Sequence, residues 1–172
     1  MNFKTSIIEK NMEQTELNIQ QPQQPQQPET LEQKLIHHRE NWTNEIKELN
    51  EKMKTLPKLD ELLTIIYAKR QDAVDYYYSM NNVILNQNRK YKKSANDMFM
   101  NIKTNGFNGV RFPNDTAIMK IIETELAGEH ETIELLSNHN NYIKETIATI
   151  DNMIYGINQK IKLAEILNGL KF

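Results

Sequence analysis

A run of apolar residues toward the C-terminal end constrains the fold more than any other feature. Ile133, Leu136, Asn140, Ile143, Ile147, Ile150, Ile154, Ile157, Ile161 and Ala164 follow one another at steps that alternate three and four. A strict repeat of seven keeps one edge of a helix facing a neighbour in a left-handed supercoil. Two kinds of neighbour satisfy such a seam: a second copy of the chain, or other helices of a monomeric bundle. Ile at both seam positions leans toward an assembly of more than two strands, and a buried Asn140 fixes register at some cost in stability. The spacing therefore makes Asn140, Ile143, Ile147, Ile150, Ile154, Ile157 and Ile161 the candidate oligomerisation residues. Gly156 interrupts the run, and a kink is expected there.

Composition agrees with a helical, extended molecule. Hydrophobic residues make up 38% of 172, and mean hydropathy is -0.70. That is lean for a globular core and common where helices bury surface against one another. Five glycines and little strand-like alternation speak against a sheet. The expected class is all-α: an elongated helical bundle or coiled coil with a long C-terminal oligomerisation helix and room for one small hairpin in the middle. The absence of cysteine excludes disulfides and thiolate-bound zinc. Residues 1–10 lack the apolar core of a signal peptide, and no segment is long and apolar enough to span a bilayer. A cytoplasmic protein without a membrane partner is expected.

Residues 1–29 read as a separate unit. A polar stretch with scattered apolar residues leads into Gln20–Pro28, where proline at every third position denies helix and favours an extended linker. The helical domain is expected over residues 30–172. Thr30 and Gln33 have capping-box spacing, and Leu31, Leu35, Trp42, Ile46, Leu49, Met53 and Leu56 form a helical stripe. Trp42 fits a core or interface anchor. Pro57 ends this element, and a second helix runs from about Leu59 toward Asn86. Within it, Tyr76-Tyr77-Tyr78 cannot all be buried, because adjacent helical residues point about 100° apart. A basic helical stretch follows to about Lys103. Asn105-Gly106 fits a tight hairpin turn ending at Pro113. A short helix over Ala117–Leu126, capped by Asn114 or Asp115, precedes a break at Gly128 and the long heptad helix.

Charge is uneven along the chain. Residues 1–56 hold seven Lys/Arg against nine Asp/Glu, residues 57–111 nine against five, and residues 112–172 five against nine. The middle third is thus basic between two acidic thirds, which points toward a polyanion partner. Arg89, Lys90, Lys92 and Lys93 cluster around Tyr91, with Lys103 and Arg111 beyond and Lys69-Arg70 upstream before the tyrosine run. Cations that track phosphates beside rings that stack on bases are the mixture that binds single-stranded nucleic acid. The competing reading is a solubilising helix face with core aromatics. Catalytic constellations are missing. No Gly-rich loop precedes a Lys-Ser/Thr pair, and His37-His38 diverge on a helix. His130 and His139 lie on opposite faces and cannot share a metal. No enzyme activity, cofactor or metal is expected.

The segment from Ala68 to Ser79, basic and then Asp-Tyr-Tyr-Tyr-Ser, resembles the basic helix of the recombination mediators of tailed bacteriophages, the UvsY proteins. The C-terminal pattern is similar too, with a long amphipathic helix leading through Ile161-Lys162-Leu163-Ala164 to a tail containing Asn168-Gly169. The likeness covers roughly Glu45–Phe172 at the level of pattern. It implies a non-enzymatic protein that binds single-stranded DNA as a ring-like homo-oligomer in the host cytoplasm. It also implies two protein partners, a phage recombinase and a single-strand-binding protein. By resemblance, Lys69 and Arg70 are the DNA contacts nearest the tyrosines, and the Arg89–Lys93 cluster shares or replaces that role. A coiled-coil scaffold or virion component without nucleic acid is the alternative.

Overall fold

The structure, a computed structural model, describes residues 29–54 and 59–169. The tail and Gln/Pro run over residues 1–28 lie outside them. The described residues are all-α, with four helices: α1 (Leu31–Lys52), α2 (Leu59–Asn105), α3 (Asp115–Glu125) and α4 (Ala127–Gly169). No Gly or Pro occurs within α2, so nothing divides the expected second helix from the basic stretch. They form one helix of 47 residues, about 70 Å long at 1.5 Å per residue. The 43 residues of α4 pass through Gly156 without a break. A Cβ there would meet only Met53 Cε at 3.7 Å, an ordinary contact.

Side-chain pairs fix the directions. Arg70 meets Asp151, Asn81 meets Asn140, and Tyr91 meets His130, so α2 and α4 run antiparallel. On α1, His38 stacks on Tyr76 and Glu45 pairs with Lys69, which sets α1 antiparallel to α2. Arg39 and Thr43 meet His139 and Tyr142, so α1 runs parallel to α4.

The heptad seam is filled within one chain. Ile143, Ile150 and Ile157 are fully buried, and Ile147, Ile154 and Ile161 pack half-buried on the same cluster. Their partners are Trp42 and Leu49 of α1 and Leu62, Ile66 and Ala73 of α2. Of the candidate oligomerisation residues Asn140, Ile143, Ile147, Ile150, Ile154, Ile157 and Ile161, each is buried or half-buried against helices of the same chain. A repeat of seven demands a neighbouring helix, and α1 and α2 carry the apolar stripes that supply it. Asn140 helps hold the register of the α2–α4 hairpin, donating from Nδ2 to Asn81 Oδ1 at 2.8 Å.

A second apolar cluster closes the other end of α2. Ile102 packs with Ile118, Ile122 and Leu126, edged by Phe99, Phe107 and Phe112. Gly106, at φ +80, ends α2, and a Cβ there would lie 2.5 Å from the Val110 carbonyl oxygen. Phe107 and Val110 then form an isolated bridge with two 2.9 Å hydrogen bonds. The tight turn between them is Asn108-Gly109, at φ 50 and 79, not Asn105-Gly106 as the dipeptide alone suggests. Two consecutive positive φ values are what a two-residue hairpin turn requires. Asn114 caps α3, its Oδ1 accepting from the Ala117 N–H at 2.8 Å. The break before α4 falls at buried Leu126, two residues before Gly128. The Leu126 N–H bonds the Ile122 carbonyl, while its own carbonyl accepts from His130 as α4 begins.

Candidate nucleic-acid interface

The basic residues of α2 divide into two groups by what surrounds them. Lys69 and Arg70 belong to the frame. The Lys69 ammonium sits 2.9 Å from Glu45 Oε2 and 6.0 Å from the Trp42 ring centre, tying α2 to α1. Arg70 forks onto Asp151 through Nε and Nη2, tying α2 to α4. Hydrogen bonding to that carboxylate, and then its charge, raise the guanidinium's affinity for its proton. Lys103 is also engaged, 3.1 Å from Asp115 and 5.3 Å from the Phe99 ring centre, where it braces the loop between α2 and α3.

Arg89, Lys90, Lys92 and Lys93 form the other group. All four are exposed, and none pairs with a carboxylate of a described residue. The sequence around them explains this freedom: from Tyr76 to Asn96 there is no Asp or Glu at all, and acids return only at Asp75 and Asp97. Arg89, Lys92 and Lys93 share one face of α2 by their three- and four-residue spacing, with Lys90 at its side. Arg111 is exposed in the loop before α3.

Tyr91, the ring at the centre of the cluster, points elsewhere. It is half-buried against the second apolar cluster, with its centroid 5.9 Å from that of His130. It is therefore corrected from a stacking platform to a packing residue. The ring that is free is Tyr78, 63% exposed, while Tyr76 and Tyr77 pack against the first cluster. The 100° step of the helix requires at least one exposed ring in the triplet but does not say which. Opposite the basic face, Glu123, Glu131 and Glu134 line a notch on α3 and α4 beside Tyr91 and His130. A polyanion is attracted to one edge of the hairpin and repelled from the other.

A buried polar knot joins α1, α2 and α4, and sequence reasoning missed it. His139 is fully buried. Arg39 Nε donates to its Nδ1 at 3.2 Å, and Tyr76 Oη lies 3.0 Å from its Nε2. Arginine cannot accept, so Nδ1 carries no proton and the neutral ring donates from Nε2 to Tyr76. His38 stacks on Tyr76 at 4.4 Å and touches His139 edge-on at 5.1 Å. Burial, then the charges of His38 and Arg39, push the His139 pKa down to about 4. Both ring nitrogens are spent on the frame, which leaves none to take a proton from a substrate. The sequence signal for this knot was weak: residues 139 and 39 are 100 apart, and only the fold brings them together.

Among the described residues, no group of three or more His, Cys, Asp or Glu is arranged to hold a metal ion, and no helix is long and apolar enough to cross a membrane. No family model, curated protein or solved structure matches the chain.

Proposed function

We propose that this chain binds single-stranded DNA along the outer face of α2, without catalysing a reaction, as a recombination mediator of the UvsY kind. The observation that carries the binding is the set of four exposed, unpaired cations at residues 89–93, inside an acid-free stretch of a helix about 70 Å long. A rigid basic edge of that length tracks a phosphate backbone without reading sequence. One copy offers few phosphate contacts, so its affinity is modest and salt-sensitive. Several copies on one strand add their contacts through effective concentration. Self-association then uses surfaces other than the filled heptad seam. The mediator role, the cytoplasmic setting, and a recombinase and a single-strand-binding protein as partners rest on the sequence resemblance. The test is fluorescence anisotropy of a labelled single strand and of the matching duplex at low salt. Tighter binding of the single strand supports the reading, and indifference to both ends it.

A second reading is a helical scaffold that binds protein. It is favoured by Leu163, Ile166 and Leu167, all more than half exposed at three- and four-residue spacing at the end of α4. In that case the basic edge is a solvated surface and DNA has no effect on the chain.

A further inference from the structure

Cations alone do not separate a polynucleotide from any other polyanion, and the ring nearest the cluster, Tyr91, is committed to packing. Tyr78 is not. It lies eleven residues before Arg89, which on an α-helix is about 20° past three turns and about 16 Å along the axis. Ring and guanidinium therefore stand on the same face. The exposed positions between them on this face, Asn82, Leu85 and Asn86, are uncharged, as are Ser79 and Val83 beside it. Asp75 stands at the end of this face, one turn before Tyr78, and Asp97 is turned roughly 80° from Arg89. Tyr78 is also held in place. The ring of Tyr77, itself packed on the apolar cluster, meets it edge-on at 5.5 Å and 76°. An exposed ring braced from below keeps one flat side open without the entropy cost of a free rotor.

We propose that Tyr78 is a base-stacking platform: a single strand lying along α2 sets an unpaired base on this ring while its phosphates reach Arg89, Lys92 and Lys93. This rests on the single-strand reading above and adds to it a reason for preferring unpaired bases. In a duplex the bases are already stacked on one another and offer the ring no face. A protein segment docking on the same exposed ring is the competing use.

The test separates base from phosphate. The full chain is titrated with an oligothymidylate and with an abasic deoxyribose-phosphate oligomer of equal length, for the natural protein, Tyr78→Ala and Tyr78→Phe. Stacking on one aromatic ring corresponds to roughly a tenfold preference for the oligomer with bases. Expected is that preference in the natural protein and in Tyr78→Phe. Tyr78→Ala should lose it while its affinity for the abasic oligomer and its salt dependence stay the same. Equal affinity of the natural protein for the two oligomers overturns the proposal, as does a preference that survives in Tyr78→Ala. In both cases salt-dependent binding of DNA still stands. If neither oligomer binds at low salt, the single-strand reading itself has failed and takes this proposal with it.

Discussion

Asn140 donates to Asn81 across the α2–α4 interface at 2.8 Å, and this pair lies between two apolar clusters that share no residue. Above it are Ile102, Ile118 and Ile122, and below it are Ile66, Ile143 and Ile150. Between the two clusters this polar pair sits beside buried Ile133 and Leu136 of α4. The hydrogen bond between two amides adds to the Tyr76–His139 contact beside it in holding the register there. Removing one partner strands the other, at a cost of about 1–3 kcal/mol, whereas replacing both with apolar residues comes close to neutral. Asn140→Leu alone should lower the urea midpoint of the helical circular dichroism signal. Asn81→Leu/Asn140→Leu should recover most of the loss. Additive losses in the double variant would show that the pair does not act as a unit.

The filled seam predicts unfolding where an interchain seam predicts dissociation. Ile150 is fully buried against α1 and α2, so Ile150→Ala should cost about 2–5 kcal/mol, measured by chemical denaturation. Half-buried Ile147 should cost less. The loss at Ile150 should not depend on protein concentration. A midpoint that rises with concentration in the natural protein and no longer does so in Ile150→Ala would return the seam to an interface between copies.

His139 makes stability depend on pH with a definite sign. Its pKa in the fold, about 4, lies below the ordinary histidine value of 6.5. The unfolded chain then binds a proton that the folded chain refuses. Stability is complete above pH 6.5 and is lost as pH falls from 6.5 to 4, by at most about 3 kcal/mol. His38, lowered chiefly by burial, acts in the same direction. The urea midpoint should drop between pH 7 and pH 5. His139→Gln, less stable at pH 7, should show a shallower drop. An unchanged slope in that variant would remove His139 as the cause.

Two glycines with the same backbone angle should differ in what they tolerate. Gly106 and Gly109 both have φ near +80, but only at Gly106 would a Cβ meet backbone, the Val110 carbonyl oxygen at 2.5 Å. Gly109→Ala bears conformational strain alone, about 1 kcal/mol, and Gly106→Ala adds a clash that moves the loop. Thermal melts should rank Gly106→Ala clearly below Gly109→Ala.

The helices and their apolar stripes could be read from periodicity, because a burial pattern is local in sequence. What covers each stripe could not. The steps from Ile133 to Ala164 are equally good for a neighbour in the same chain, and Trp42, Leu49, Ile66 and Ala73 pack there. Charge had the same limit. Arg70 and Arg89 look alike in sequence, yet Asp151, 81 residues away, occupies the first and nothing described occupies the second. The dipeptide Asn105-Gly106 was read as the tight turn, but the end of α2 takes it, and Asn108-Gly109 makes the turn instead. Tyr91 sits among the cations in sequence but turns to the core, whereas Tyr78, eleven residues before Arg89, shares the face of Arg89.

The central claim is that Arg89, Lys90, Lys92 and Lys93 meet phosphates while Lys69 and Arg70 hold the frame. The direct measurement is the slope of log affinity for a single-stranded oligomer against log salt concentration, for the natural protein and for the variant with all four of those residues changed to Ala. Each phosphate contact on a single strand contributes about 0.7 to that slope, so losing four should flatten it by about 3 with helical content unchanged. A folded variant whose slope matches that of the natural protein would contradict the account and leave the outer face of α2 without a nucleic-acid role.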